Sequence, residues 1–214
     1  MTHPSRILAI ALTWFGTPLI LDAQTCLGLA PFSVGRIQLG ASADFGEDAK
    51  AFSANLSFGS TNGPLGGVSV GTVDYDELDE NGTTVGAQLG WQAPVGTQNR
   101  VQLCPVVGAT YGFGPDQLGS DVSSWSVFFG LQLGISTDSS AQLRLVPTVG
   151  AALAYAKLEV DGFLNFEESE TFGILNLGVG FVVNTRVSIL PSVDIPVGLE
   201  GADPNFGIML AVNF

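Results

Sequence analysis

The nine residues Phe206-Gly-Ile208-Met-Leu210-Ala-Val212-Asn-Phe214 put apolar side chains on every second position and end on an aromatic. Successive strand side chains point to opposite faces, so a strict period of two marks a β-strand with one apolar face. A soluble domain seldom finishes on a strand whose apolar face runs to the terminal carboxylate. What that face meets is decided by the rest of the chain.

Only 13% of the 214 residues are charged, against roughly 25% in ordinary soluble domains. Mean hydropathy is positive. Yet after residue 23 no apolar run approaches the ~18 residues of a membrane-spanning helix. The apolar residues are therefore dispersed, and alternation disperses them. The 28 glycines also argue against helices, where each costs about 1 kcal/mol relative to alanine. A net charge of −13 excludes nucleic acid as a partner, since a phosphate backbone calls for a basic surface.

Residues 1–23 read as a signal peptide. Arg6 ends a short basic region, Ile7 to Leu21 is apolar, and Leu21-Asp22-Ala23 offers a small residue before Gln24. Export implies an oxidising compartment, so Cys26 and Cys104 are candidates for a disulfide; two unpaired buried thiols are the alternative. Such a bond would pin the tail, residues 24–33, against the body of the fold, residues 34–214.

Alternating segments are expected near 34–45, 51–60, 65–75, 83–94, 100–113, 124–137, 140–157, 171–184, 186–198 and 205–214. Short connections such as Thr61-Asn-Gly-Pro64 and Asn184-Thr185 alternate with longer acidic ones. This pattern fits turns on one rim of a membrane barrel and loops on the other. In the sixth segment Trp125, Val127, Phe129, Leu131, Leu133 and Ile135 face one way, against Ser126, Phe128, Gly130, Gln132 and Gly134. The polar faces hold Gly, Ser, Thr, Gln and Asn with few charges, which suits an enclosed lumen. The expected fold is an all-β, transmembrane, antiparallel up-and-down barrel of about ten strands, eight being the alternative, with both termini periplasmic.

The C-terminal strand resembles that of bacterial outer-membrane β-barrels, in which a final aromatic such as Phe214 is a signal to the barrel-insertion machinery. Across nearly the whole mature chain the pattern resembles the small outer-membrane barrel family. That resemblance implies an outer-membrane location, and outer-membrane lipid, lipopolysaccharide and the insertion machinery as partners of a monomer. Barrel enzymes of the phospholipase, lipid A acylase, lipid A deacylase and omptin types use a histidine with Ser or Asp. Here the one histidine, His3, lies in the signal peptide, so the expectation is a non-enzyme.

Three constellations stand out. Arg36, Arg100, Arg144 and Arg186 each open an upward strand with lumen parity. They are read either as fillers pairing with carboxylates such as Asp44 and Asp194, or as an anion-selective constriction. Asp74, Asp76, Glu77, Asp79, Glu80, Glu167, Glu168 and Glu170 are expected in the long loops as an acidic extracellular rim. No cofactor or dedicated metal site is expected, and Ca2+ or Mg2+ at those loops only weakly. The third is the Cys26–Cys104 pair. Together these give a surface-exposed structural or interaction barrel with little free conduction. The alternative is a narrow pore or transporter for ions or small amphiphiles.

Overall fold

The computed structural model describes residues 25–30, 37–47, 49–60, 62–75, 81–95, 101–114, 121–137, 142–162, 165–199 and 201–214. The expected signal peptide lies outside them. The period-two segments form ten antiparallel strands: β1 (Ile37–Phe45), β2 (Ala49–Gly59), β3 (Pro64–Tyr75), β4 (Asn81–Trp91, continued as Ala93–Val95), β5 (Val101–Phe113), β6 (Asp121–Ile135), β7 (Leu143–Asp161), β8 (Phe166–Val183), β9 (Val187–Val197) and β10 (Asn205–Asn213). Each strand pairs with the next. β10 pairs back onto β1 from Gln38↔Asn213 to Phe45↔Phe206, which closes the cylinder. The Phe214 N–H extends that seam by donating to the Ile37 carbonyl at 3.0 Å. The strand count is ten rather than eight.

Paired residues climb as they go round. Leu39 leads through Leu56, Val68, Ala87, Ala109, Val127 and Tyr155 to Thr171, close to the loop end of β8. Such a climb is the stagger that tilted strands need to close a barrel.

Polarity is inverted relative to a water-soluble domain. Gln38, Asn55, Ser57, Thr84, Gln88, Gln102, Gln132, Asn176 and Ser188 face inward and are buried. Leu89, Phe129 and Leu153 face outward, each 61% exposed, amid a continuous band of Val, Leu, Ile and Phe. Soluble monomers rarely expose apolar patches beyond a few hundred Å². Aromatics flank the band. Phe45 and Phe206 pair across the seam, and the Trp125 and Tyr155 rings lie 5.3 Å apart towards the loop end. Phe58, Trp91, Phe181 and Phe214 stand on the outer face nearer the turn end.

One departure from the sequence reading has a local cause. β7 and β8 run on to Asp161 and resume at Phe166, so Glu167, Glu168 and Glu170 belong to a strand rather than a loop. The extension is stapled outside by Lys157, whose ammonium meets Glu159 at 2.5 Å and Glu167 at 2.9 Å. A proline shapes a second local feature. β4 is interrupted at Gln92, opposite Cys104 and Pro105, yet Gly90↔Val106 and Ala93↔Leu103 keep one register. Pro105 has no N–H to give, and the Gln92 N–H donates instead to the Gly63 carbonyl at 2.8 Å. The ladder relaxes without a bulge.

Candidate functional site

The interior of the cylinder is the site, and the chain's own N-terminal segment occupies one end of it. Thr25–Leu27 make a single 3-10 turn, and Gly28 follows with φ 79°. Cys26, Leu27, Gly28, Leu29 and Ala30 are all buried. The Cys26–Cys104 disulfide anchors the segment to β5, with the two Cα atoms 6.1 Å apart. From there the tail crosses the lumen. Leu27 joins Leu65, Val106 and Phe128; Leu29 packs on Leu190, Met209 and Ala211; Ala30 packs on Val146 and Val182. The Ala30 N–H donates to Ser188 Oγ at 2.8 Å, and Asn213 Nδ2 donates to the Ala30 carbonyl at 3.4 Å. Contacts on β3, β5, β6, β7, β8, β9 and β10 make this segment a plug at the short-turn end.

Glycine is required beneath it. A Cβ on Gly180 would stand 1.7 Å from the Gly28 carbonyl oxygen, and one on Gly28 would meet Leu190 Cδ1 at 2.7 Å. Gly180→Ala is therefore expected to lower stability in detergent by about 1–3 kcal/mol, the usual cost of overpacking. The same substitution should cost nothing comparable once residues 24–33 are removed. Denaturant unfolding of both pairs checks this; an equal cost in both backgrounds would place the clash elsewhere.

Beyond the plug the lumen has two unlike walls. Along β5–β8, Val106, Phe128, Ala154, Ala156, Leu158, Phe172 and Ile174 form one apolar cluster with Leu27, reaching Leu199 in the β9–β10 connection. The β9–β10–β1–β2–β3 side is polar. Asn176 Nδ2 donates to Asp194 Oδ1 at 2.7 Å, and the Ser42 and Ser53 hydroxyls lie 2.7 Å apart. Ser53 Oγ donates to Asn55 Oδ1 at 3.4 Å. Nearer the turn end, Gln38 Nε2 donates to Asn213 Oδ1 at 2.5 Å, and Gln92 Nε2 donates to Gln102 Oε1.

The expected arginine ring does not form among the described residues. Arg144 has lumen parity and is half-buried, but Arg186 is exposed in the Asn184–Arg186 turn. Asn184 (φ 49°) and Thr185 (φ 58°) turn the chain there, and the Arg186 N–H closes the turn on the Val183 carbonyl at 3.1 Å. Nor does Arg144 pair with Asp194. Gly150 and Asp194 both register with Asn176, leaving Arg144 six residues away along β7, about 20 Å. Arg36 and Arg100 lie outside the described residues.

The acidic rim is likewise dispersed where it is described. Asp74 is exposed at the end of β3 in register with Lys50. Glu167 faces outward to Lys157, while Glu168 and Glu170 share the inward parity of Phe172. Asp76, Glu77, Asp79 and Glu80 lie outside the described residues.

No protein-family model and no curated protein sequence matches this chain. Solved structures with a similar arrangement include the N-terminal β-barrel domain of Pseudomonas aeruginosa OprF, 13% identical, with 84% of this chain and 97% of that one covered and a TM-score of 0.40. The KdgM porin is 9% identical over 83% of this chain and 99% of its own, with a TM-score of 0.41. The attachment invasion locus protein Ail of Yersinia pestis is 13% identical over 84% and 99%, with a TM-score of 0.39.

Proposed function

We propose that this chain is a bacterial outer-membrane barrel with a surface-exposed structural or interaction role and little free conduction. The observation that carries the reading is the plug: a disulfide-anchored, fully buried segment lying across the lumen. Membrane residence rests on the outward apolar band, which hydrocarbon would cover and water would not. The two aromatic zones fit the two interfaces of such a band. In this orientation both termini and the short turns face the periplasm, and the Lys157-stapled extension of β7 and β8 stands outside the cell. Its partners are then lipid, lipopolysaccharide and the insertion machinery, and the barrel acts as a monomer. Any Ca2+ or Mg2+ at the acidic loops is held weakly. We read it as a non-enzyme, because the mature chain has no imidazole to serve as a general base near neutral pH.

A narrow pore is the second reading, favoured by the continuous polar wall from Gln38 to Asp194. Liposome swelling with graded solutes separates the two. The sealed barrel leaves vesicles as slow to swell as protein-free ones, even with the smallest sugars. Swelling that falls off smoothly with solute size would establish an open pore.

A further inference from the structure

We infer that the polar wall of the lumen holds a small protonated amine that also carries hydroxyl groups, as an amino sugar does. The inference rests on the inward face being an enclosed interior, as the proposed membrane barrel requires.

Asp44 on β1 and Asp194 on β9 flank β10. Asp44 registers with Gly207, and Gly207 registers with Ser192, two residues from Asp194. Gly207 leaves the space between them clear: a Cβ there would stand 2.6 Å from Asp44 Oδ1 and 3.0 Å from Ser192 Oγ. Among the described residues neither carboxylate has a cationic partner. Lys157 is engaged by Glu159 and Glu167 on the outer face, Lys50 registers with the outward Phe45, Arg186 is in a turn, and Arg144 is remote. Enclosed carboxylates without a counter-charge are costly and are met by a proton or a cation, so a cation that reaches the ionised pair would be favoured here.

A second, independent observation gives the rest of the ligand. From Asp44 a chain of hydrogen bonds runs through Ser42 and Ser53 to Asn55. Asn55 registers directly with Ser69. Both are buried, at 4% and 7% exposure, and Asn55 Nδ2 and Ser69 Oγ have no partner. A buried polar atom left unmet is destabilising. An amide donor beside a hydroxyl calls for a group that both accepts and donates, which a ligand hydroxyl does. Asn55 lies four residues along the strand from Asp44's level, about 13 Å. A bare metal fits less well, because no three carboxylate, imidazole or thiol groups converge among the described residues.

The test is calorimetric titration of the detergent-folded barrel, residues 24–214, with glucosamine at neutral pH. Heat-modifiable gel mobility confirms closure of each variant, so loss of binding is separable from loss of the barrel. Glucosamine should bind, and N-acetylglucosamine, which keeps the ring and loses the charge, should bind at least about tenfold more weakly. The double variant Asp44→Asn with Asp194→Asn should weaken glucosamine by about tenfold or more. Asn55→Leu with Ser69→Ala should weaken both sugars. No glucosamine binding to a closed barrel, equal affinity for the acetylated sugar, or insensitivity to the Asp44 and Asp194 variants would overturn the inference. So would Ca2+ binding through those two carboxylates in a barrel that ignores glucosamine.

Discussion

Deleting residues 24–33 is expected to convert a nearly silent barrel into a conducting one, raising single-channel conductance in planar bilayers on the order of tenfold or more. Eight strands just fill their interior with side chains, whereas ten enclose more space, and here the extra space at the turn end is taken by the tail. The bond alone is not what keeps it there. Cys26 and Cys104 are 78 residues apart in sequence, and closing so long a loop stabilises by about 4 kcal/mol in the chain-entropy model. Leu27 and Leu29 each add about 1.5–3 kcal/mol of apolar burial, with the Ala30–Ser188 hydrogen bond besides. Cys26→Ser should therefore loosen the tail and give brief openings, while the deletion gives sustained current. A deletion variant that folds and stays silent would move the obstruction to the apolar filling along β5–β8.

Arginine on the outer face should be the most damaging kind of substitution. Leu89→Arg, Phe129→Arg and Leu153→Arg replace residues that are each 61% exposed. In a water-soluble protein such surface changes fall within about 0.5 kcal/mol of neutral. In a bilayer an arginine near the midplane of a barrel wall costs about 2–4 kcal/mol. Urea titration in phospholipid vesicles should show that loss for each variant, with a smaller loss near the rims. Variants as stable as the parent would mean that this face does not meet hydrocarbon.

Most of the fold was legible because period-two alternation needs only the order of residues. It identified the inward and outward sets on β6 and the ten segments. The two cysteines, in a chain read as exported, pointed to the disulfide that the structure forms. Segment ends were less legible, because charge was read as loop. Glu159 and Glu167, beyond the segment expected to end near 157, were read as connection, yet Leu158 and Val160 continue the inward apolar alternation of Ala154 and Ala156 and could have carried β7 to its end at Asp161. Parity also misplaced Arg186: a strand begun one residue late leaves it in the turn, and the left-handed backbone at Asn184 and Thr185 decides that boundary. The close approach of Gly28 to Gly180 was invisible. It joins residues far apart in sequence, and a glycine within a small-residue face gives no sign of what presses on it.

The most direct measurement is the folding of residues 24–214 with and without a membrane mimic. The account predicts a heat-modifiable, β-rich monomer in detergent or lipid vesicles, and aggregation from plain buffer. A monodisperse, cooperatively folded protein in buffer alone would contradict it, because the outward band of Leu, Val and Phe would then be stable against water.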